Sequence, residues 1–313
     1  MILDIQKNVP LSVYTTYKIG GSARFFCDAQ NEQEIIEAFA FARRRGLPYF
    51  ILGGGSNILV SDKGFDGLVI RVRNSGYKME GEIIEAGVGM DLQNFVDIAI
   101  ASGLQGIEWA SGIPGTLGGA VRGNAGAFGG EMKDIVISIR FMDRKGNIRV
   151  RNNEECKFGY RTSVFKQMPG LVIISATIQL KRGDRKKLLK FSGDTIALRA
   201  SRHPLEFGSC GSVFKAAELK DINPRHFEKY PRFKNLIKND PFPVIPMACF
   251  LDEADLKNYR IGGAMVSDKH PNFFVNYDNA SANDVVTLIS LAKQRILHHF
   301  KIVAEEEVQY VGF

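Results

Sequence analysis

Three polar clusters hold the residue types most able to do chemistry in this chain of 313 residues. In Phe158-Gly159-Tyr160-Arg161-Thr162-Ser163-Val164-Phe165-Lys166, two cations stand in an aromatic frame. The planar fork of Arg161 suits a carboxylate or a phosphate, although the same stretch also reads as a surface loop with snorkelling cations. Gly208-Ser209-Cys210-Gly211-Ser212-Val213-Phe214-Lys215 gathers two hydroxyls, a thiol and an ammonium in a small-residue turn. It is not GxSxG and no His/Asp arrangement surrounds it, so a hydrolase elbow fits poorly. Glu305-Glu306-Glu307 precedes an apolar strand. An acidic run is generally a solvated face, but the alternation of Val308 and Tyr310 carried backwards turns one of the three inward.

Two glycine stretches offer main chain to a ligand. Gly112–Gly130 contains eight glycines and a single charge, Arg122. Pro114 and Thr116 suggest a helix start there, and a helix N-terminus among glycines suits a phosphate or pyrophosphate. A tight structural turn is the plainer reading. Gly53-Gly54-Gly55-Ser56-Asn57-Ile58 follows a short apolar strand, a favoured ligand position in α/β folds. It lacks the third glycine of GxGxxG and the acidic residue beyond, so a nicotinamide Rossmann domain is not indicated.

The elements that must position these groups are legible in part. Asn31 with Glu34 caps a helix whose apolar face is Ile35, Ile36, Ala38, Phe39 and Ala42. Strands are expected at Pro48–Leu52, Gly67–Val72, Lys78–Gly87, Ile135–Phe141, Asn147–Arg151 and Gly170–Leu180, with a hairpin turn at Asp143-Arg144-Lys145-Gly146. Helices are expected at Leu92–Ser102 and Asp184–Ser201. Residues 203–250 hold six of the eleven prolines and read as irregular. Ser281 and Asp284 cap a long helix whose buried face includes Val285, Leu288, Ile289, Ala292, Ile296 and Phe300. Trp109, the single tryptophan, is expected in the core.

Composition narrows the class. A length of 313 residues implies two or three domains at about 100–200 residues each. The net charge of +7 allows a polyanionic ligand or simply favours solubility. No basic stripe interleaved with aromatics is present, so nucleic acid is disfavoured. Four scattered cysteines, with no CxxC, fit reduced thiols in the cytosol. No HExxH and no ligand cluster indicates a metal. The first residues carry no apolar signal core and no 18-residue apolar span occurs, so neither export nor membrane insertion is expected. These features alone describe a cytosolic α/β protein that binds a phosphorylated ligand, with no reaction named.

Seven ordered segments add a resemblance: Thr15–Gly21, Gly53–Asp62, Gly112–Glu131, Gly159–Lys166, Gly211–Lys215, Asn258–Lys269 and Glu307–Gly312. Together they closely resemble the UDP-N-acetylenolpyruvoylglucosamine reductase family, in its shorter type II form. The resemblance implies an α+β fold: a two-subdomain FAD-binding module of the vanillyl-alcohol oxidase type over residues 1–70 and 71–202, a substrate domain over 203–300, and a C-terminal segment 301–313. It implies FAD held by Gly53, Gly54, Gly55, Ser56, Asn57 and Ile58, and by Ser111, Gly112, Pro114, Gly115, Thr116, Gly118 and Gly119. NADPH would reduce FAD and leave, and the enolpyruvyl UDP-sugar would then take the hydride at its terminal alkene carbon. Arg161 and Glu307 stand in the positions that stabilise the resulting enolate-like species, and Glu307 must carry or share a proton there. Ser212 stands in the position of the acid that protonates the α-carbon. Tyr160, Arg202, Lys215, Asn124 and Phe128 would contact substrate. A monomer without membrane or nucleic-acid partners is expected.

The chain departs from the family pattern at Ala216-Ala217, where an Asn-Pro or a basic residue with Pro is usual. It also departs at Phe128 in place of Tyr, Arg202 in place of Lys and Phe250 in place of Trp. An FAD-linked oxidase of the same fold and a non-catalytic nucleotide-sugar sensor are the alternative readings. The first leaves Arg161, Ser212 and Glu307 unexplained; the second predicts the loss of one of them.

Overall fold

The computed structural model describes residues 3–239 and 242–313, grouped into two compact units. Residues 3–9, 23–54 and 66–199 form the first; residues 10–22, 55–65 and 200–313 form the second. The first 70 residues thus contribute to both.

In the first unit, Asn31 accepts from the Glu34 amide and starts the helix Glu32–Arg44, which buries Ile35, Ala38, Phe39 and Ala42. That is the face a 3.6-residue period dictates. Strands Gln6–Pro10, Ser22–Ala29, Phe65–Val72 and Tyr49–Leu52 make one sheet in that spatial order. Tyr49–Leu52 runs parallel to Phe65–Val72 and leads directly into Gly53. A second sheet, all antiparallel, has the order Ile148–Asn152, Val136–Met142, Val172–Gln179, Ile83–Gly87, Tyr77–Glu80. The strand expected over Lys78–Gly87 is therefore a hairpin, because Gly81 at φ +63° turns the chain within it. Asp143 fixes the other hairpin turn by accepting from the amides of Lys145 and Asn147. Helices Leu92–Ala101 and Leu117–Gly123 pack on one core with Trp109 and the inward residues of both sheets.

In the second unit, Gly208–Ser212, Phe273–Asn276, Ala264–Val266 and Arg260–Ile261 form an antiparallel sheet in that order. The helix Ala282–Phe300 carries the expected Ser281/Asp284 capping box and buries Val285, Leu288, Ile289, Ala292, Ile296 and Phe300. Among the described residues of 203–250 the elements are short, and the helix Met247–Glu253 begins at their end. Near the C-terminus, Gln309–Val311 pairs in parallel with Ile58–Val60, one residue to one. A buried tyrosine, Tyr17, donates its hydroxyl to the Phe274 carbonyl at 2.6 Å and ties the segment 10–22 to this sheet.

Candidate active site

Arg161 lies in the first unit, in a two-bond turn where the Gly159 and Thr162 amides donate to each other's carbonyls at 3.0 and 3.1 Å. Its φ of +56° is left-handed, a conformation that costs a non-glycine residue about 1 kcal/mol and that clusters at functional sites. The side chain is held on several sides. Nη2 donates to the Gly126 carbonyl at 2.8 Å, and the guanidinium lies 5.1 Å from the Tyr160 ring centre. The Lys166 ammonium donates to the Arg161 carbonyl at 3.0 Å.

Asn124 joins this turn to the glycine stretch. It is fully buried and caps the helix Leu117–Gly123 in a left-handed conformation. Its amide nitrogen donates to Glu131 at 2.8 Å and to the Gly159 carbonyl at 3.0 Å, while its oxygen accepts from the Lys133 amide at 2.9 Å. Every polar atom is used, so the side chain serves as a positioning strut, and the substrate contact expected of it finds no support in these bonds. Nearby, the tip after Phe128 comes down on Trp109: a Cβ on Gly130 would lie 2.2 Å from the indole.

The glycine cradle differs from the sequence expectation. The first amides of the helix Leu117–Gly123 are not open to a phosphate. Leu117 donates to Met90, Gly118 to Val88 and Gly119 to its own cap, the Thr116 hydroxyl. Residues 88–90 run alongside and consume them, a pairing that a one-dimensional motif does not reveal. Main-chain donors remain one step earlier. Gly54 packs backbone to backbone on Gly115, where a Cβ would fall 2.6 Å from the Gly115 Cα, and Gly53 packs on Thr116. Among the described residues, no acceptor takes the amides of Gly53, Gly54, Gly115 or Thr116. Four unclaimed N–H groups on adjoining, glycine-rich main chain fit the anionic and edge-on polar groups of FAD. Ser111 is buried and donates its hydroxyl to Glu108, and Gly112 donates its amide to Gln93. Pro114 stands exposed between them and Gly115.

Ser212 and Glu307 belong to the second unit, on neighbouring segments. Ser212 ends its strand opposite Phe273, after an irregularity that begins at Ser209. The Glu307 amide donates to the Val213 carbonyl at 2.8 Å, Phe214 bridges Glu306, and the Lys215 amide donates to Glu305 at 2.9 Å. The three adjacent acids are thereby sorted. Glu305 pairs with the Lys215 ammonium, and Glu306 pairs with Lys293 at 2.6 Å and with the Tyr310 hydroxyl. Glu307 is half-buried, its carbonyl accepting from the Asn57 side chain at 3.3 Å. The segment Gly55–Ile58 is anchored here as well: Gly55 accepts from the Thr16 amide, Asn57 from the Gln309 amide, and Ile58 pairs with Gln309. Ser56 is half-buried between them. The Cys210 thiol is pushed up to about 12 by burial and by the charge of Glu307, so it stays protonated and unreactive. Arg202 ends the helix Arg185–Arg202 and is exposed.

Comparison with known proteins decides the family. An FAD binding domain model matches residues 23–151, and the model for the C-terminal domain of UDP-N-acetylenolpyruvoylglucosamine reductase matches 203–311. The chain is 36% identical to the UDP-N-acetylenolpyruvoylglucosamine reductase of Solibacter usitatus, over 99% of this chain and 97% of that one. The chain belongs to the UDP-N-acetylenolpyruvoylglucosamine reductase family. The Streptococcus suis reductase is 35% identical over 99% of this chain and 94% of its own. The crystal structure of the Thermus caldophilus reductase superposes with a TM-score of 0.77 at 29% identity, covering 99% and 100% of the two chains. The α+β flavoprotein fold implied by the resemblance is the fold observed.

Two positioning residues of this reductase escaped the sequence reading. Glu131 is 5% exposed, holds Asn124 and pairs with Lys133 at 3.0 Å; an acid closing a glycine run was its only signal. Asn272, also buried, clamps Phe214 by accepting from its amide at 3.0 Å and donating to its carbonyl at 2.8 Å. No local pattern distinguishes it from an ordinary turn asparagine.

Proposed function

We infer that this chain is an NADPH-dependent, FAD-mediated reductase that converts UDP-N-acetylglucosamine enolpyruvate to UDP-N-acetylmuramate in peptidoglycan precursor synthesis. The observation that carries the reading is the match to the family's flavin and C-terminal models together with identity over almost the whole chain. FAD, once reduced, supplies the hydride.

The chain's own residues bind, orient and move the proton. Gly53, Gly54, Gly115 and Thr116 offer amides to the cofactor, and in our reading Gly55–Ile58 and the Ser111–Gly119 turn complete its cradle. Arg161 takes the substrate carboxylate through its fork, where a rigid donor pair offsets the charge that builds as hydride reaches the alkene. The strain and multiple supports of that residue favour such a role. Glu307 shares a proton with the same carboxylate, and Ser212 protonates the α-carbon, completing a two-electron, two-hydrogen reduction of the double bond. Tyr160, Lys215, Phe128 and Arg202 are assigned to the UDP-sugar, with residues 203–300 as its domain. Asn124 acts indirectly, by holding Gly159.

We further assign a cytosolic monomer. Among the described residues no helix is long and apolar enough to cross a membrane. Three of the four cysteines are buried free thiols.

The test is a flavin experiment. The purified protein should carry or take up FAD, bleach anaerobically with NADPH, and be reoxidised by the enolpyruvyl UDP-sugar without oxygen. A preparation that stays reduced when that sugar is added removes the assignment.

A further inference from the structure

Thr16 is half-buried and joins two segments of the second unit that the chemistry needs together. Its amide donates to the Gly55 carbonyl at 3.2 Å, and its carbonyl accepts from the Ser209 amide at 3.1 Å. Its hydroxyl donates to the Ser209 carbonyl at 2.7 Å. The Gly55 carbonyl lies 3.4 Å from that hydroxyl, but a hydroxyl has one proton and the shorter contact takes it. One residue thus ties the glycine turn assigned above to the cofactor to the strand Gly208–Ser212.

The hydroxyl supplies what the main chain of Thr16 lacks. Gly208–Ser212 is the outer strand of its sheet, with Phe273–Asn276 as its neighbour. A further strand on the open side would meet Ser209 with both a carbonyl and an amide. Thr16 offers its carbonyl, but its amide is spent on Gly55. The side-chain hydroxyl stands in for that amide. Its removal leaves the Ser209 carbonyl without this donor.

What the contact steadies is a β-bulge. Ser209 lies opposite Val275 and Ser212 opposite Phe273, three steps along one strand against two along the other. The extra residue falls at Cys210–Gly211, where Gly211 takes φ +80°. A bulge bends its strand and re-aims the side chain beside it. This one is pinned before, within and after. Thr16 holds Ser209, Cys210 is buried in the core, and the Asn272 carbonyl accepts from the Val213 amide at 2.8 Å. Ser212 stands between the last two pins.

We propose that Thr16 is a positioning residue of this reductase, its hydroxyl fixing the bulge that aims Ser212 at the substrate's α-carbon. The proposal rests on the proton-transfer reading above. In that step the alkene gains one C–H bond from the hydride and one from the Ser212 proton, and the serine oxygen recovers a proton from water. A donor displaced by about 1 Å slows such a transfer by up to about 10²-fold. Reduction by NADPH draws no proton from Ser212 and is left unchanged.

Thr16→Val keeps the shape and removes the hydroxyl; Thr16→Ser keeps the hydroxyl; Thr16→Ala replaces Thr16→Val if that variant does not fold. Stopped-flow absorbance of the loaded enzyme follows reduction by NADPH and reoxidation by the enolpyruvyl UDP-sugar separately, in water and in heavy water. Titration of apoprotein with FAD, followed by flavin fluorescence, gives the cofactor affinity. Thr16→Val is expected to be reoxidised about tenfold or more slowly, with a larger solvent isotope effect, because a misplaced donor makes proton transfer the slow step. Its reduction rate and FAD dissociation constant stay within about twofold of wild type, and Thr16→Ser stays within about threefold in every arm. A threonine that only held the fold together would lower stability without raising the isotope effect. The proposal is overturned if Thr16→Val is reoxidised within about threefold of wild type, if its isotope effect does not rise, if reduction slows in proportion, or if Thr16→Ser is as slow as Thr16→Val. Failure of wild type to take up FAD or to be reoxidised by the sugar sinks the flavoenzyme reading instead, and wild-type reoxidation in Ser212→Ala sinks the assignment of Ser212 as the acid.

Discussion

The amide of Glu307 donates to the carbonyl of Val213 at 2.8 Å, one residue beyond Ser212. The pairing continues through Phe214 with Glu306 and Lys215 with Glu305, so the C-terminal acids lie antiparallel along the end of the serine strand. Main chains so paired lie about 5 Å apart. The main chains of Ser212 and Glu307, from opposite ends of the domain, are therefore brought close through backbone bonds alone.

This arrangement predicts a clean division between the two half-reactions. Ser212→Ala and Glu307→Gln should each slow reoxidation by the enolpyruvyl sugar by about 10²–10⁴-fold, the range for a lost positioned acid. Reduction by NADPH and FAD content should stay close to wild type. Stopped-flow absorbance of the flavin separates the steps. Full reoxidation rates in Glu307→Gln remove the carboxyl from the mechanism.

Asn272 holds the chain just after that strand through both main-chain groups of Phe214. Asn272→Ala leaves a buried amide and a buried carbonyl without partners, at about 1–3 kcal/mol for each. Urea unfolding should show a loss of about 2–4 kcal/mol. A variant as stable as wild type shows that water replaces the clamp at no cost.

Gly54 tests the cofactor site proposed above. A Cβ there meets the Gly115 Cα at 2.6 Å, which only main-chain displacement relieves. Gly54→Ala should weaken FAD binding about tenfold and cost about 1–3 kcal/mol as overpacking. Gly76→Ala is the control: nothing lies within 4 Å of its Cβ position. Equal FAD affinity in the two variants dissolves the link between the Gly54–Gly115 approach and the cofactor.

What the sequence made legible was local. The caps at Asn31 and Ser281 are chemical signatures within four residues, and both hold in the structure. The Asp143 turn is likewise a short-range bond pattern. The hairpin inside Lys78–Gly87 was hidden because the apolar alternation carries through Gly81. The amides of Leu117 and Gly118 looked free because their acceptors, Met90 and Val88, lie a helix and a turn away. Parallel pairing of Ile58–Val60 with Gln309–Val311 joins nearly opposite ends of the chain, and no periodicity encodes it. The resemblance named Arg161, Ser212 and Glu307; the struts Glu131 and Asn272 came only from hydrogen bonds.

His270 gives the pH dependence of stability. It is packed against Phe273 and His203, its Nδ1 is buried without a partner, and burial, then the neighbouring His203, brings its pKa down to about 4 from an ordinary 6.5. The folded protein thus disfavours the imidazolium. Above about pH 6.5 both states hold His270 neutral and its effect vanishes. As pH falls from 6.5 towards 4 the unfolded chain takes the proton first, so stability drops; below 4 the loss levels off. The full span corresponds to about 3 kcal/mol. Urea unfolding at about pH 7 and pH 4.5 should show wild type losing about 2 kcal/mol more than His270→Gln, which has no such proton to take up. Parallel losses in the two proteins would move the acid sensitivity to other groups and leave His270 a plain packing residue.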